Sequence, residues 1–229
     1  MNEFTLDILD LIKEVASIEN KNIIECAKIM FEAMQDEKIV HVFATGHSHM
    51  FCEELFYRAG GLVQIDPILI PALMQHEGAV SSTQRERISG KALEIYNSWD
   101  IKDGEPFIIV SNSGINSVPV EMAELVKTKG HKVIVLTSYA SSKELTPRNK
   151  FNKHLYDFAD VIIDNHAPYG DGIIEKPYGK IGSVSSIIGS FIAQAIVIEI
   201  SKMYEKKGLI PPIYLSANTP GGDNHNKEL

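Results

Sequence analysis

Cysteine is scarce in this chain: Cys26 and Cys52 are the only two in 229 residues. Both fall inside helical patterns, which suits small buried hydrophobes in a reducing compartment and excludes a disulfide scaffold. Positive charge is also short. Lys and Arg number 22 against 30 Asp and Glu, for a formal net charge of −8. No basic run appears, so neither a nucleic acid nor an anionic membrane surface is expected as a partner. Long apolar runs are missing too. The greasiest, Ile187 to Ile200, is too short to span a bilayer and carries Gln194 and Glu199, so a buried core helix is expected there. No charged segment followed by an apolar one opens the sequence, as a secretory signal would require, and the expected location is cytoplasmic. There is no Lys-bearing P-loop and no Gly-x-Gly-x-x-Gly after a strand, which disfavours a nucleoside triphosphate or a dinucleotide.

What remains is ordinary globular material: 44% hydrophobic and 23% charged residues. A chain of this length buries roughly 70% of its unfolded surface and needs no metal or disulfide to fold. Residues 1–229 read as one domain, with N-terminal helices over 5–36, an α/β core over 39–207 and a tail over 209–229. Short apolar runs at Ile39–Ala44, Leu62–Ile65, Phe107–Val110, Val133–Leu136 and Val161–Asp164 read as strands. Helical spacing fills most gaps between them, while Pro71–Thr83 and the Gly-rich stretch Asn165–Gly182 read as loops. A long helix is expected from about Ser183 to Lys207. Strands that are apolar throughout and alternate with helices point to a doubly wound, five-stranded parallel sheet covered on both faces.

Such sheets bind ligands beyond the carboxyl ends of their strands, where the strand order reverses. Gly46, His47 and Ser48 follow the first strand. Ser111, Asn112 and Ser113, with Gly114, follow the third and open a helix whose N-terminus favours an anion. Thr137, Ser138 and Ser142 follow the fourth, and Ser183 and Ser185 precede the long helix. Hydroxyls and backbone amides at so many turns suit a sugar monophosphate, although caps and turns use the same residue types. His47 and His49 lie too close in sequence to share a helix face. They leave open a metal in the turn, a role in proton transfer or plain packing, and no metal or other cofactor is assigned.

This order of features resembles the SIS (sugar isomerase) family of phosphosugar-binding domains. The elements are an N-terminal helical pair, a strand with Gly46-His47-Ser48, a strand ending Ser111-Asn112-Ser113-Gly114, a strand ending Thr137-Ser138, and a long helix opening Ser183-Val184-Ser185-Ser186. The likeness covers roughly Ile23 to Lys207 and is greatest to small stand-alone members such as sedoheptulose 7-phosphate isomerases. It implies a flavodoxin-like sheet, phosphate held by the Ser/Thr loops, and a site near a subunit interface of a dimer or tetramer. Glu53-Glu54 is similar to a glutamate pair of the heptose isomerases. Glu77-Gly78-Ala79 looks like a stretch of N-acetylmuramic acid 6-phosphate etherase. Lys180 stands where the isomerase domain of glucosamine-6-phosphate synthase has a glutamate.

Aldose–ketose isomerisation moves a proton between adjacent carbons and needs a base near the C–H. The expected acid/base candidates are Glu53 and Glu54 beside the first turn, and His76 and Glu77 in the long loop. The expected activity is sugar-phosphate isomerisation. A phosphosugar lyase or etherase and a non-catalytic phosphosugar sensor are the alternatives, and a cradle without an inward carboxylate or imidazole would favour the sensor.

Overall fold

A computed structural model describes residues 3–229. Helices α1 (Glu3–Ile18) and α2 (Asn20–Gln35) lead into β1 (Val40–Ala44), and α3 (His49–Leu55) follows it. Next come β2 (Ile65–Ile68), α4 (Ala79–Arg85), α5 (Lys91–Ser98) and β3 (Phe107–Val110). The chain continues through α6 (Ser117–Thr128), β4 (Val133–Thr137), α7 (Tyr139–Lys143) and β5 (Val161–Asp164). A hairpin of β6 (Gly172–Lys176) and β7 (Gly179–Ser183), then α8 (Ser185–Lys206) and α9 (Gly222–Lys227), complete it.

The first five strands form one sheet in the order β2-β1-β3-β4-β5, all parallel. This is the flavodoxin-like order, whose switch point lies between β1 and β3. Strand alternation sends Val42, Ile108, Ile134 and Ile163 to one face, against α1, α2, α3 and α8. It sends Phe43, Ile109 and Val135 to the other, against α5 and α6. Apolar side chains on both faces are why these strands lack polar alternation.

Several boundaries differ from the sequence reading. The second strand lies three residues later than expected and runs through Pro67, which pairs with Val42. β2 is an edge strand, where a missing N–H costs no ladder bond. Leu62 instead bridges to Ile213 of the tail. The expected loop Pro71–Thr83 contains two short 3-10 turns and most of α4. The Gly-rich stretch holds the β6–β7 hairpin, which places Ser183 in a strand, so the long helix starts at Ser185. The tail folds back: the Asn226 side chain bonds both backbone groups of Leu215, and His225 Nε2 lies 3.0 Å from the Ile213 carbonyl.

α8 is long and apolar enough to cross a membrane by length and composition alone. Here it packs on α2 and α3, with Ile188, Ile192, Ile196 and Ile200 buried in the core.

Candidate functional site

The switch point opens into a cavity of 460 Å³, a size typical of small-ligand sites. Thr45 to Ser48 contribute from the end of β1, and Ser111, Asn112, Ser113 and Asn116 from the end of β3. Ser141 enters from α7, Pro168 to Asp171 from the loop after β5, and Ser185 from α8. The crossover after β2 closes the remaining side with Gln75, Thr83 and Glu86.

Gly46 (φ +56°) and Gly114 (φ +63°) bend the two principal loops with left-handed backbone, which side chains resist. Gly114 has no room for a side chain either. A Cβ there would lie 2.9 Å from Ser142 Oγ and 3.2 Å from Thr137 Oγ1. Its N–H donates to Ser111 Oγ at 3.1 Å, tightening the β3 loop.

The hydroxyl residues divide by what they touch. Ser48, Ser111 and Ser113 line the cavity. Thr137 Oγ1 donates to the Asn112 carbonyl at 3.2 Å, and Ser138 Oγ to the Ala167 carbonyl at 2.6 Å. Both are buried behind the loops. Ser142 Oγ is buried with no hydrogen-bond partner among the described residues. The Asn112 side chain accepts from Asn165 Nδ2 at 2.9 Å, which ties the β3 loop to the β5 loop. Ser185 reaches the cavity, but its N–H and its hydroxyl both donate to Asp171, each at 2.8 Å. That carboxylate caps α8 where an anionic ligand would otherwise bind. Ser183 is exposed on the hairpin and does not line the cavity.

None of the four expected acid/base residues lines the cavity. Glu54 accepts from Gln194 Nε2 at 2.7 Å and pairs closely with Arg58. It faces α8 because consecutive helical positions diverge by about 100°. Glu53 is exposed and lies 3.8 Å from His49 Nε2. His76 and Glu77 are exposed beside each other. His47 does line the cavity, whereas His49 turns its Nδ1 to the Gly46 carbonyl. Among the described residues, no group of three or more His, Cys, Asp or Glu is placed to hold a metal.

The cavity's own base candidate is Glu86, which the sequence reading passed over. Thr45 Oγ1 donates to its Oε2 at 2.6 Å, and Asn116 Nδ2 to its Oε1 at 2.7 Å. Burial pushes its carboxyl above the usual range, against the Thr45 hydrogen bond and the charges of Arg87 and Arg148. A raised carboxyl in a polar cleft is the state expected of a proton carrier near neutral pH. The sequence offered one indirect signal, the long connection after β2.

Fold and cavity together define a doubly wound protein with a cavity of small-ligand size at its switch point. Comparison with known proteins narrows the class. A family model of the SIS domain matches residues 3–138. A UPF0309 protein of Geobacillus kaustophilus is 39% identical over 229 residues, covering 99% of this chain and 91% of its own. A UPF0309 protein of Brucella anthropi is 42% identical over 207 residues, covering 90% and 84%. Among solved structures, a phosphoheptose isomerase from Francisella tularensis matches with TM-score 0.59 at 12% identity, over 88% of this chain and 96% of that one. Vibrio vulnificus NanR, solved in complex with ManNAc-6P, matches with TM-score 0.53 at 14% identity, over 90% and 63%. At such identities the solved structures establish the shared fold. The chain belongs to the SIS-domain family and, within it, to the UPF0309 proteins.

Proposed function

We propose that this protein is an aldose–ketose isomerase of sugar monophosphates, with Glu86 as its base. The observation that carries the reading is the position of Glu86: a partly desolvated carboxyl in the same cavity as the hydroxyls of Ser48, Ser111 and Ser113. A sensor needs the cradle alone, so an inward carboxyl favours an enzyme. Among the described residues, no Lys or Arg lines the cavity. The phosphate would therefore rest on hydroxyls and amides, each hydrogen bond to the anion contributing about 1.5–3 kcal/mol. Glu86 takes the proton from the carbon beside the carbonyl. The C–H electron pair forms the enediol double bond, and the carbonyl oxygen takes a proton from a neighbouring donor. Glu86 then returns its proton to the former carbonyl carbon, while the other enediol hydroxyl gives up its proton to restore the donor and becomes the new carbonyl.

We further propose a cytoplasmic homo-oligomer, a dimer or tetramer with sites near its interfaces. Exposed Ile187 and Ile198 on α8, and Leu6, Leu9 and Ile18 on α1, supply apolar surface for it. The two cysteines are free and buried, in keeping with a reducing compartment.

The test is solvent deuterium incorporation at the sugar carbon, across a panel of aldose and ketose monophosphates. Glu86→Gln is expected to lower exchange by about 10²–10⁴ while calorimetric binding survives. Binding without exchange in the wild type would establish the sensor. Release of a substituent from the sugar would establish the lyase or etherase.

A further inference from the structure

Asn116 occupies the N-cap position of α6, where an Asn side chain normally accepts a backbone N–H of the first turn. Here it makes no capping bond. Its amide is turned to Glu86 instead, with Nδ2 donating to Oε1 at 2.7 Å. The residue is 8% exposed, and its Oδ1 is buried without a hydrogen-bond partner among the described residues. A helix end has thus lost its side-chain cap, and a buried acceptor stands unused beside a titratable carboxyl. Buried polar atoms are nearly always paired, so an orphan of this kind calls for a physical account.

Rotating the amide by half a turn exchanges Oδ1 for Nδ2. In the observed orientation Asn116 donates to the Glu86 carboxylate. In the rotated one, Oδ1 accepts a proton carried on Glu86 Oε1. Thr45 sits on the other oxygen, and its hydroxyl serves as donor or acceptor by rotation. We propose that Asn116 is a positioning residue whose amide turns over to hold the Glu86 carboxyl in both protonation states, with Thr45 anchoring the opposite oxygen. The proposal rests on the reading of Glu86 as the base. A base that carries a proton between two carbons must stay in place while protonated, and a fixed donor alone would release it at that moment. The other charged groups acting on Glu86 are Arg87 beside it in sequence and Arg148 from the segment bridged to Asn116. Asp171 and His47 share its cavity.

The test follows two resonances in the intact protein without ligand. The Glu86 side-chain carbon is assigned against Glu86→Gln, and the Asn116 side-chain NH₂ against Asn116→Asp. In the wild type the Asn116 NH₂ signal is expected to move with the same pH midpoint as Glu86, because Nδ2 leaves the carboxyl when the proton arrives. Thr45→Val and Asn116→Asp each remove a donor from the charged form. Each is expected to raise the Glu86 midpoint by about one unit or more, and Thr45→Ser to restore it. An Asn116 signal that stays flat through the Glu86 titration would overturn the proposal. So would an unmoved Glu86 midpoint in Thr45→Val. If Asn116→Asp does not fold, Asn116→Ser supplies the assignment and Thr45→Val the shift. Coupled titration together with no exchange on any sugar phosphate would support the amide switch and defeat the isomerase reading, so the two failures are distinct.

Discussion

His41 Nε2 lies 2.8 Å from Glu105 Oε2 at the end of the sheet opposite the cavity. The other ring nitrogen lies 2.8 Å from Asp66 Oδ2, and Trp99 Nε1 donates to the same oxygen at 2.5 Å. The imidazole is therefore clamped between two carboxylates and joins the start of β1 to β2 and to the turn before β3. Burial lowers the His41 pKa, but the two carboxylates outweigh it and the net direction is up. Burial likewise pushes Asp66 and Glu105 up. It is outweighed by His41 and Trp99 at Asp66, and by backbone N–H groups and His41 at Glu105, so both end below the usual range.

The sign of the linkage follows from those directions. A raised histidine contributes stability below its unfolded pKa of about 6.5 and loses it as pH rises through its folded value. Lowered carboxylates contribute above about 4 and lose it as pH falls through their folded values. The cluster is thus most stabilising between about pH 4.5 and 6.5. Urea unfolding across pH is expected to show this window in the wild type and a flatter profile in His41→Gln. His41→Ala should cost about 3 kcal/mol, the low end for a broken buried pair, because a third of the Asp66 side chain remains in water.

Gly114 couples the sheet to the cavity. Gly114→Ala must place its methyl against Ser142 Oγ and Thr137 Oγ1, in backbone that costs an L-residue about 1–2 kcal/mol. The expected result is a loss of about 2–3 kcal/mol from strain and crowding together. Phosphosugar affinity should fall too, because the Gly114 N–H shapes the Ser111 loop. Thermal melts and calorimetry on one preparation read both. An unchanged melting temperature would mean that the loop yields without cost.

Subunit association has a direct probe in α8. Ile198 is 54% exposed on a helix whose opposite face, with Ile188, Ile192, Ile196 and Ile200, is buried in the core. Light scattering at micromolar protein is expected to report a dimer or tetramer, and Ile198→Glu a smaller species with an unchanged far-UV spectrum. A wild-type monomer would remove the interface from the proposed function.

The sheet was legible because each inner strand is a short run of β-branched and aromatic residues between turn signals, as at Phe107–Val110. The second strand was misplaced because Pro67 argues against a strand, and only the sheet order reveals that β2 lies at an edge. Within the cavity, Gly46, Ser48, Ser111 and Ser113 were accessible to the rule that ligands sit beyond strand ends. Glu86 was not. It reaches the cavity from the crossover after β2, between two arginines, and its inward aim depends on Thr45 and Asn116, 41 and 30 residues away. Glu54 illustrates the converse. Adjacency to a cavity-lining turn says nothing about which side of α3 a carboxylate takes, and Gln194, 140 residues away, decides it.

Ser113 and Ser185 separate exposure to the cavity from availability to a ligand. Both line it, and a strand-end rule treats them alike. Ser185, however, already donates its hydroxyl and its N–H to Asp171. The Asp171 carboxylate also neutralises the positive end of α8, so an incoming phosphate meets a negative charge there instead of free donors. Ser113→Ala is therefore expected to weaken sugar-phosphate binding about tenfold or more, the value of one hydrogen bond to a charged group. It should leave the melting temperature nearly unchanged. Ser185→Ala is expected to do the reverse, costing about 1 kcal/mol of stability through the weakened cap while affinity changes less than about threefold. Calorimetry and melting curves on the two variants decide it. A tenfold loss of affinity in Ser185→Ala would mean that Asp171 releases the helix end when ligand arrives, and that the phosphate sits at α8 instead of in the β3 loop.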